Sequence, residues 1–493
     1  MYIGKQYYAR EQNYETLDIQ QQRQIHSAAL RVLWEHGMSL HQPEALALLQ
    51  QAGATAEPIE GGAFMVHLPP ALVEWAIRQA PSQVTLFDRN GKAAMFLEGK
   101  NVYYGTGSDT VLLSDYESGE SHPWTKDQVA QAARLCDALE HIDFVMSMGI
   151  ISDVHYSVNT REQYAALIRN TTKPQVVVCD GKEDLEDVFR MFIAVRGSAQ
   201  ALRLRPYAVV YNEPTSPLVN SDTAMDKLLL CADYGVPSNY ATGSLSGATT
   251  PVTAAGTIVL STAECLFGLT VHQLRRPGAP FVFGSGDSPM DMKTVQADYA
   301  HPVCMQVQGG MCDMSRFYRL PCWGQAGEGC SKLADEQAIQ EGTFTLQMAA
   351  LQGGNLTHDV GYNNFGLGFS FETLVMHNNC IGQIKEIMKG VEVNEETLAV
   401  DLIMQTGCNG DFLRSKLTRK AAKTMWRGEL NDYLAYKDWR AAGSLSMGAR
   451  AHAMVQDILA HHQPQPLDPA ADQQIEAILD AARRQIPEKE KEK

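Results

Sequence analysis

One pattern in this 493-residue chain limits its fold more than any other. A short apolar run ends in a glycine-rich or polar cluster, a helix-patterned segment follows, and the sentence repeats eight times. The apolar runs span 101–105, 144–151, 174–180, 207–212, 237–241, 280–284, 320–324 and 354–359. The helical patterns that follow them span 126–139, 161–169, 183–195, 221–234, 252–274, 301–316, 335–351 and 371–388. Strands joined by helical crossovers pair in parallel, and eight such units predict an α/β fold of the (β/α)8 TIM-barrel type. Barrels of this kind carry their chemistry on the loops after the strands, so the functional residues are sought there.

A single barrel needs roughly 250 residues, so the remainder is assigned to extensions. The expected division is a helical N-terminal extension at 1–98, the barrel at 99–390 and a helical C-terminal extension at 391–493. Ala28, Ala29, Val32 and Leu33, then Ala45, Leu46, Leu48 and Leu49, recur at helical spacing, with Gly37 between them as a helix-ending residue. Residues 82–87 read as a strand and 114–123 as a hairpin, while 1–20 read as a polar arm and 488–493 as a frayed end. The segment 252–274 is almost uncharged, which predicts a helix buried on several sides.

A net charge of -16 and a pI near 5.3 disfavour binding to a phosphate backbone, so no nucleic-acid partner is expected. The ten cysteines have no CxxC spacing, and the apolar stretches fall short of the roughly 20 residues that span a bilayer. A cytoplasmic protein without membrane contact is the expectation.

The strand ends bring Tyr103, Tyr104, Gly105 and Gly107, then Asp180, then Tyr211, Asn212 and Glu213, then Tyr240, Thr242 and Gly243. Gly284, Gly286 and Asp287 follow the sixth strand, Trp323 and the loop 324–332 the seventh, and His358, Asp359, Tyr362, Asn363 and Phe365 the eighth. This rim is rich in aromatics and acids and poor in Lys and Arg, which suits an organic cation: ring faces attract a quaternary ammonium and carboxylates add field. Some of these rings could equally serve as plugs of the barrel mouth. His358 and Asp359 are adjacent, so both reach the mouth only where the strand has ended or bulged, and a purely loop-tying histidine is the alternative. The glycine pairs match no nucleotide fingerprint and read as turns or close approaches. Two HxxC pairs, His301 with Cys304 and His377 with Cys380, have zinc-type ligands but fall on helices away from the mouth, so no metal site is assigned.

Ordered segments along nearly the whole chain carry a family resemblance. They include 41–46, 68–73, Val102-Tyr103-Tyr104-Gly105, 133–139 with 142–144, and Arg169-Asn170-Thr171-Thr172-Lys173-Pro174. Ser331-Lys332, 335–338, 390–399, Tyr436-Lys437-Asp438-Trp439 and 448–451 continue the series. In these the chain resembles the trimethylamine methyltransferase superfamily, specifically its members without pyrrolysine, which include glycine betaine:corrinoid protein methyltransferases. Trimethylamine-specific members of that family carry pyrrolysine in the region matching 324–331, where this chain has only standard residues. The segment 407–413 departs from a histidine-containing segment of the family, and no role is assigned to it.

The resemblance implies transfer of a methyl group from a quaternary amine, glycine betaine first, to the Co(I) corrinoid (cobalamin) of a partner protein, with no cofactor held tightly by this chain. Loss of one methyl leaves a neutral tertiary amine, so no catalytic acid or base is required and the barrel's tasks are desolvation, caging and alignment. On that reading Tyr103, Tyr104, Tyr211, Trp323 and Phe365 cage the cation, while Asn212, His358 and Asn363 are donors for a substrate carboxylate. A homo-oligomer is expected from the patterned extensions. The alternatives are proline betaine, carnitine or another quaternary amine as substrate, a metal-dependent barrel hydrolase or lyase, and a non-catalytic quaternary-amine binding protein.

Overall fold

The computed structural model describes residues 1–4, 9–10 and 14–486. Parts of the expected polar arm and the end 488–493 lie outside the described residues. Seven barrel strands are β1 (Tyr103–Tyr104), β3 (Gln175–Val177), β4 (Ala208–Val210), β5 (Ser238–Asn239), β6 (Phe281–Gly284), β7 (Cys322–Gln325) and β8 (Leu356–His358). They form one parallel sheet in the order β1-β8-β7-β6-β5-β4-β3. Residues 144–145, here β2, fill the gap between its two edges through the bridges Gly105–Phe144 and Val145–Gln175, so the ring closes. The Asp143 N–H donates to the Tyr104 carbonyl at 2.6 Å and the Val176 N–H to that of Val145 at 2.9 Å. The sequence predicts a longer second strand, but Met148 has φ 64, which turns the chain out of the sheet.

Each strand is followed by its helix: α1 (Lys126–Ala138), α2 (Asn159–Asn170), α3 (Lys182–Arg196), α4 (Asp222–Tyr234), α5 (Ala254–Arg275), α6 (Pro302–Tyr318), α7 (Glu336–Gln352) and α8 (Phe371–Met388). Side-chain oxygens fix most of the starts. Thr125 accepts from the Gln128 N–H in a capping box, and Ser221, Thr253, Asp335 and Ser370 cap α4, α5, α7 and α8. Helix α5 is long and apolar enough to cross a membrane by length and composition, and 72% of its most apolar window is buried inside the protein. Helices Ile19–Arg31 and Pro70–Gln79, with α4 and α6, pack against it.

Strand alternation sorts the core into two layers. Tyr103, Phe144, Val176, Val209, Ala241, Val282, Trp323 and Leu356, one from each strand position, meet inside the barrel. The antiparallel pair Val84–Phe87 and Ala93–Leu97 packs against them and floors the amino end. The alternate residues, among them Tyr104, Val145, Val177 and Val210, pack outward against the helices.

The N-terminal region is mixed rather than purely helical. Strands Met38–Leu40, Thr55–Pro58 and Phe64–His67 form a sheet with Val219–Asn220 from the β4 loop. These three or four-residue strands are too short to show a period of two in the sequence. Gly37 ends the first helical stretch at φ 82, and a Cβ there would lie 2.5 Å from the Val66 carbonyl oxygen. At the other end, helices Met447–His461 and Pro469–Arg484 pack on α8 and α3. Arg169 anchors the last helix through Asp472 at 2.6 Å and Glu476 at 2.9 Å.

Candidate active site at the carboxyl end of the barrel

Register decides which predicted residues face the mouth. In a parallel ladder, residues in register share a face, and Trp323 pairs with Leu356, which pairs with Tyr103. Gln325 pairs with His358 one layer nearer the carboxyl end, and Thr357 pairs with Tyr104 on the outer face. Trp323, Gln325 and His358 therefore line the inside. The indole of Trp323 lies between two rings: Tyr211 at 5.4 Å and 39°, and His358 at 4.6 Å and 31°. The Tyr211 hydroxyl donates to Glu213 at 2.7 Å.

Strand β8 stops at His358, and Asp359 adopts φ 80, a left-handed conformation that non-glycine residues take up only where surrounding contacts enforce it. That turn brings both side chains to the mouth, with His358 Nδ1 2.6 Å from Asp359 Oδ1. Gly107 makes room for them: a Cβ there would sit 2.1 Å from Asp359 Oδ1 and 2.3 Å from the Tyr362 ring. Gly286 does the same beside Gln325, leaving space toward His358 Nε2.

Acids crowd this end. Glu328, in the loop after β7, is fully buried and faces Asp359; burial first, then the Asp359 charge, pushes its carboxyl well above the ordinary range. Burial raises Glu213 as well, against the opposing hydrogen bond from Tyr211 and the Lys227 ammonium. Asp109 is pushed up to about 6 by burial, opposed by hydrogen bonds from Ser147 and Ser108. Asp287 points away, into the helix layer, where Ser244 and Ser261 hydroxyls donate to it at 2.5 and 2.6 Å. Trp323 Nε1, His358 Nε2 and both Glu328 oxygens are buried without a hydrogen-bond donor or acceptor aligned on them among the described residues, while His358 Nδ1 has the Asp359 carboxylate beside it. Buried polar atoms are normally satisfied, so this cluster marks a place where a ligand or water belongs.

Three of the predicted residues, Tyr211, Trp323 and His358, come together. The other five make contacts elsewhere. Tyr103 faces inward but at the amino end, where its hydroxyl accepts the Phe96 N–H of the floor hairpin at 3.0 Å. Tyr104 faces outward and donates to the Leu346 carbonyl of α7 at 2.9 Å. Asn212 follows the inward Tyr211 and so points out, donating to the Ser238 hydroxyl at 2.8 Å. Asn363 donates to the Thr373 hydroxyl of α8 at 3.2 Å. The Phe365 ring is covered by the Lys332 ammonium, 4.0 Å from its centroid. Sequence reasoning named the loop 324–332 and the end of β8 but chose neither Glu328 nor Gln325. The usable signal was a lone acid within Ala326-Gly327-Glu328-Gly329, a run otherwise of small residues.

The two HxxC pairs have other duties. His301 accepts the Val303 N–H at 3.1 Å as the α6 cap, and Cys304 contacts the Gln325 amide at 3.3 Å. His377 lies 3.3 Å from the Ala338 carbonyl, and Cys380 meets the Thr343 hydroxyl at 3.2 Å.

Comparison with known proteins agrees with this architecture. The family model described as trimethylamine methyltransferase (MTTB) matches residues 4–487. The trimethylamine methyltransferase MttB of Desulfitobacterium hafniense is 33% identical over 443 residues, covering 90% of this chain and 89% of its own. That of Methanosarcina barkeri is 31% identical over 466 residues, 93% of each chain. A glycine betaine methyltransferase of Desulfitobacterium hafniense is 28% identical over 480 residues, 96% of this chain and 98% of its own. The crystal structure of the Methanosarcina barkeri monomethylamine methyltransferase superposes with a TM-score of 0.51 at 11% identity, covering 95% of this chain and 88% of that one, a likeness of fold. By the extent of these matches, the chain belongs to the trimethylamine methyltransferase (MTTB) family.

Proposed function

We propose that this protein takes a methyl group from a quaternary amine, glycine betaine first among the candidates, for delivery to the reduced corrinoid of a partner protein. The observation that carries the reading is the arc of Tyr211, Trp323 and His358 inside a barrel mouth bordered by buried acids. Aromatic faces with nearby carboxylates select a desolvated ammonium group. The 28% identical glycine betaine methyltransferase supports that choice of substrate, and so does a loop 324–331 built only of standard residues. Relatives named for trimethylamine are somewhat more similar, at 33% and 31%, which makes trimethylamine the second substrate to test.

One feature suits a partner-borne corrinoid: Gly286, partly exposed beside Gln325, puts no side chain of its own over the mouth, while Gly107 is buried against Asp359 and Tyr362. When docked, that group supplies the cobalt nucleophile that accepts the methyl. This chain's part is to hold the ammonium against the Trp323 and Tyr211 faces, exclude water, and aim one N–CH3 bond outward along the barrel axis. Trp323 Nε1–H and His358 Nε2, neither with an aligned partner among the described residues, are the donors for a substrate carboxylate. No corrinoid is held tightly by this chain, and a homo-oligomer in the cytoplasm remains the expected form. The test is a spectrophotometric screen: purified protein, Co(I)-cobalamin or a corrinoid protein, and glycine betaine, proline betaine, carnitine or trimethylamine. Methylcobalamin formation with betaine supports the reading; betaine binding without turnover in any mixture refutes catalysis, and no response to any quaternary amine refutes the substrate class.

A further inference from the structure

Two acidic side chains face each other at the site with nothing between them to reconcile their charges. Glu328 is fully buried on the β7 loop, Asp359 is 6% exposed at the end of β8, and the two carboxyls interact electrostatically. Both are acceptors when ionised, and no N–H or O–H donor reaches either Glu328 oxygen among the described residues. Such a contact needs a proton. The other groups turned toward Glu328 are Tyr299, Tyr362 and the thiols of Cys304 and Cys330, none of them cationic. The Lys332 ammonium of the same loop is engaged by the Cys330 carbonyl at 2.8 Å and the Phe365 ring. Asp359 differs from Glu328 in having a second neighbour, His358 Nδ1 at 2.6 Å, itself stacked on the Trp323 indole.

From this asymmetry we propose that Asp359 is the counter-ion that selects a cationic substrate, and that Glu328 is a positioning residue which stays neutral and donates its proton to Asp359. The inference deepens the proposed function and rests on it. A buried carboxylic acid that donates to a carboxylate keeps the pair at one negative charge, which matches a single ammonium. Two ionised carboxylates would mismatch it and repel each other across a dry site. His358 Nε2, with no aligned partner among the described residues, lies beyond the open side of Gly286, which supports reading the pair as a border of ligand space.

The experiment measures calorimetric binding of glycine betaine and of its carbon isostere 3,3-dimethylbutanoate, which has the same shape and carboxylate but no ammonium, to the parent, D359N and E328Q proteins. D359N is expected to weaken betaine by about tenfold or more while leaving the isostere within about twofold, since only the cation feels the lost charge. E328Q, with an amide in place of the acid, is expected to keep betaine within about threefold. Infrared difference spectra at pH 8 should show a protonated-carboxyl stretch in the parent that E328Q removes. Isostere binding reports that each variant is folded. Equal losses of betaine in E328Q and D359N, equal losses of betaine and isostere in D359N, or a parent without the Glu328 band would each overturn the inference while leaving the proposed function intact. A parent that binds no betaine would overturn the site reading, and this counter-ion with it.

Discussion

Glu264 offers the sharpest quantitative test of how this barrel holds its mouth loops. It sits fully buried on α5 and reaches the loop after β4, accepting from the Ser216 hydroxyl at 2.6 Å and the Leu218 N–H at 2.5 Å. That loop begins just after Tyr211 and Glu213, and its end pairs with the N-terminal sheet. Burial outweighs the two donors and lifts the carboxyl from 4.5 to about 7. A folded-state value above the unfolded one means the fold prefers the protonated acid. That stability is fully present below about 4.5 and is lost as pH rises through about 7. Linkage between those two values gives a cost of about 1 kcal/mol at pH 5 and about 3 kcal/mol at pH 8. In Glu264→Gln the pH-dependent part disappears, while the loss of one strong acceptor adds a cost that does not vary with pH. At about 2 cal/mol/K per residue, this chain has a melting entropy of about 1 kcal/mol/K, so the Tm of Glu264→Gln relative to the parent should rise by about 2 °C between pH 5 and pH 8. Scanning calorimetry at one scan rate measures it. A difference that stays constant with pH, or falls, refutes the argument that this carboxyl is protonated in the fold.

The other predictions concern the site. Trp323→Leu should raise the betaine concentration for half-maximal rate by about tenfold to thirtyfold, with Trp323→Phe recovering part of it; a variant that saturates like the parent would remove the indole from the cage. His358→Ala should weaken betaine use, and unchanged betaine kinetics would exclude the imidazole. Tyr103→Phe and Tyr104→Phe should leave betaine kinetics unaltered and cost about 1 kcal/mol each in denaturant melts, because their hydroxyls serve the floor hairpin and α7; a kinetic defect with intact stability would contradict their placement. Between pH 5 and 7 the Asp109 carboxyl ionises, so cation affinity should increase over that interval, and Asp109→Asn should flatten the rise in a calorimetric series.

Helix and strand periods made the barrel legible, because each of the eight units is long enough to declare itself. The predicted 371–388 helix matches α8 residue for residue, and the other seven differ by at most a few positions at each end. What the sequence hid was facing. Tyr103 and Tyr104 are neighbours with the same ring, yet one points to the barrel floor and the other to a helix, and only the ladder register tells them apart. Asn212 was lost the same way, one residue beyond the inward Tyr211. Conversely, Asp359 reaches the mouth through a left-handed backbone that no residue pattern announces. The small N-terminal sheet was invisible because its strands find a partner, Val219–Asn220, far away along the chain.

The ring has a seam. Residues 144–145 join their neighbours by single bridges on either side, and β4 meets β5 through the single pair Val210–Ser238, while the other strand pairs share two or three. Opening is cheapest where the fewest ladder bonds must break, so amide exchange should be early at Val145 and Val176. The seam also borders Gly107 and the Asp109 loop at the top of the barrel. A bulky docking protein could therefore gain access by spreading a zipper at one side of the cylinder, without any hinged cover.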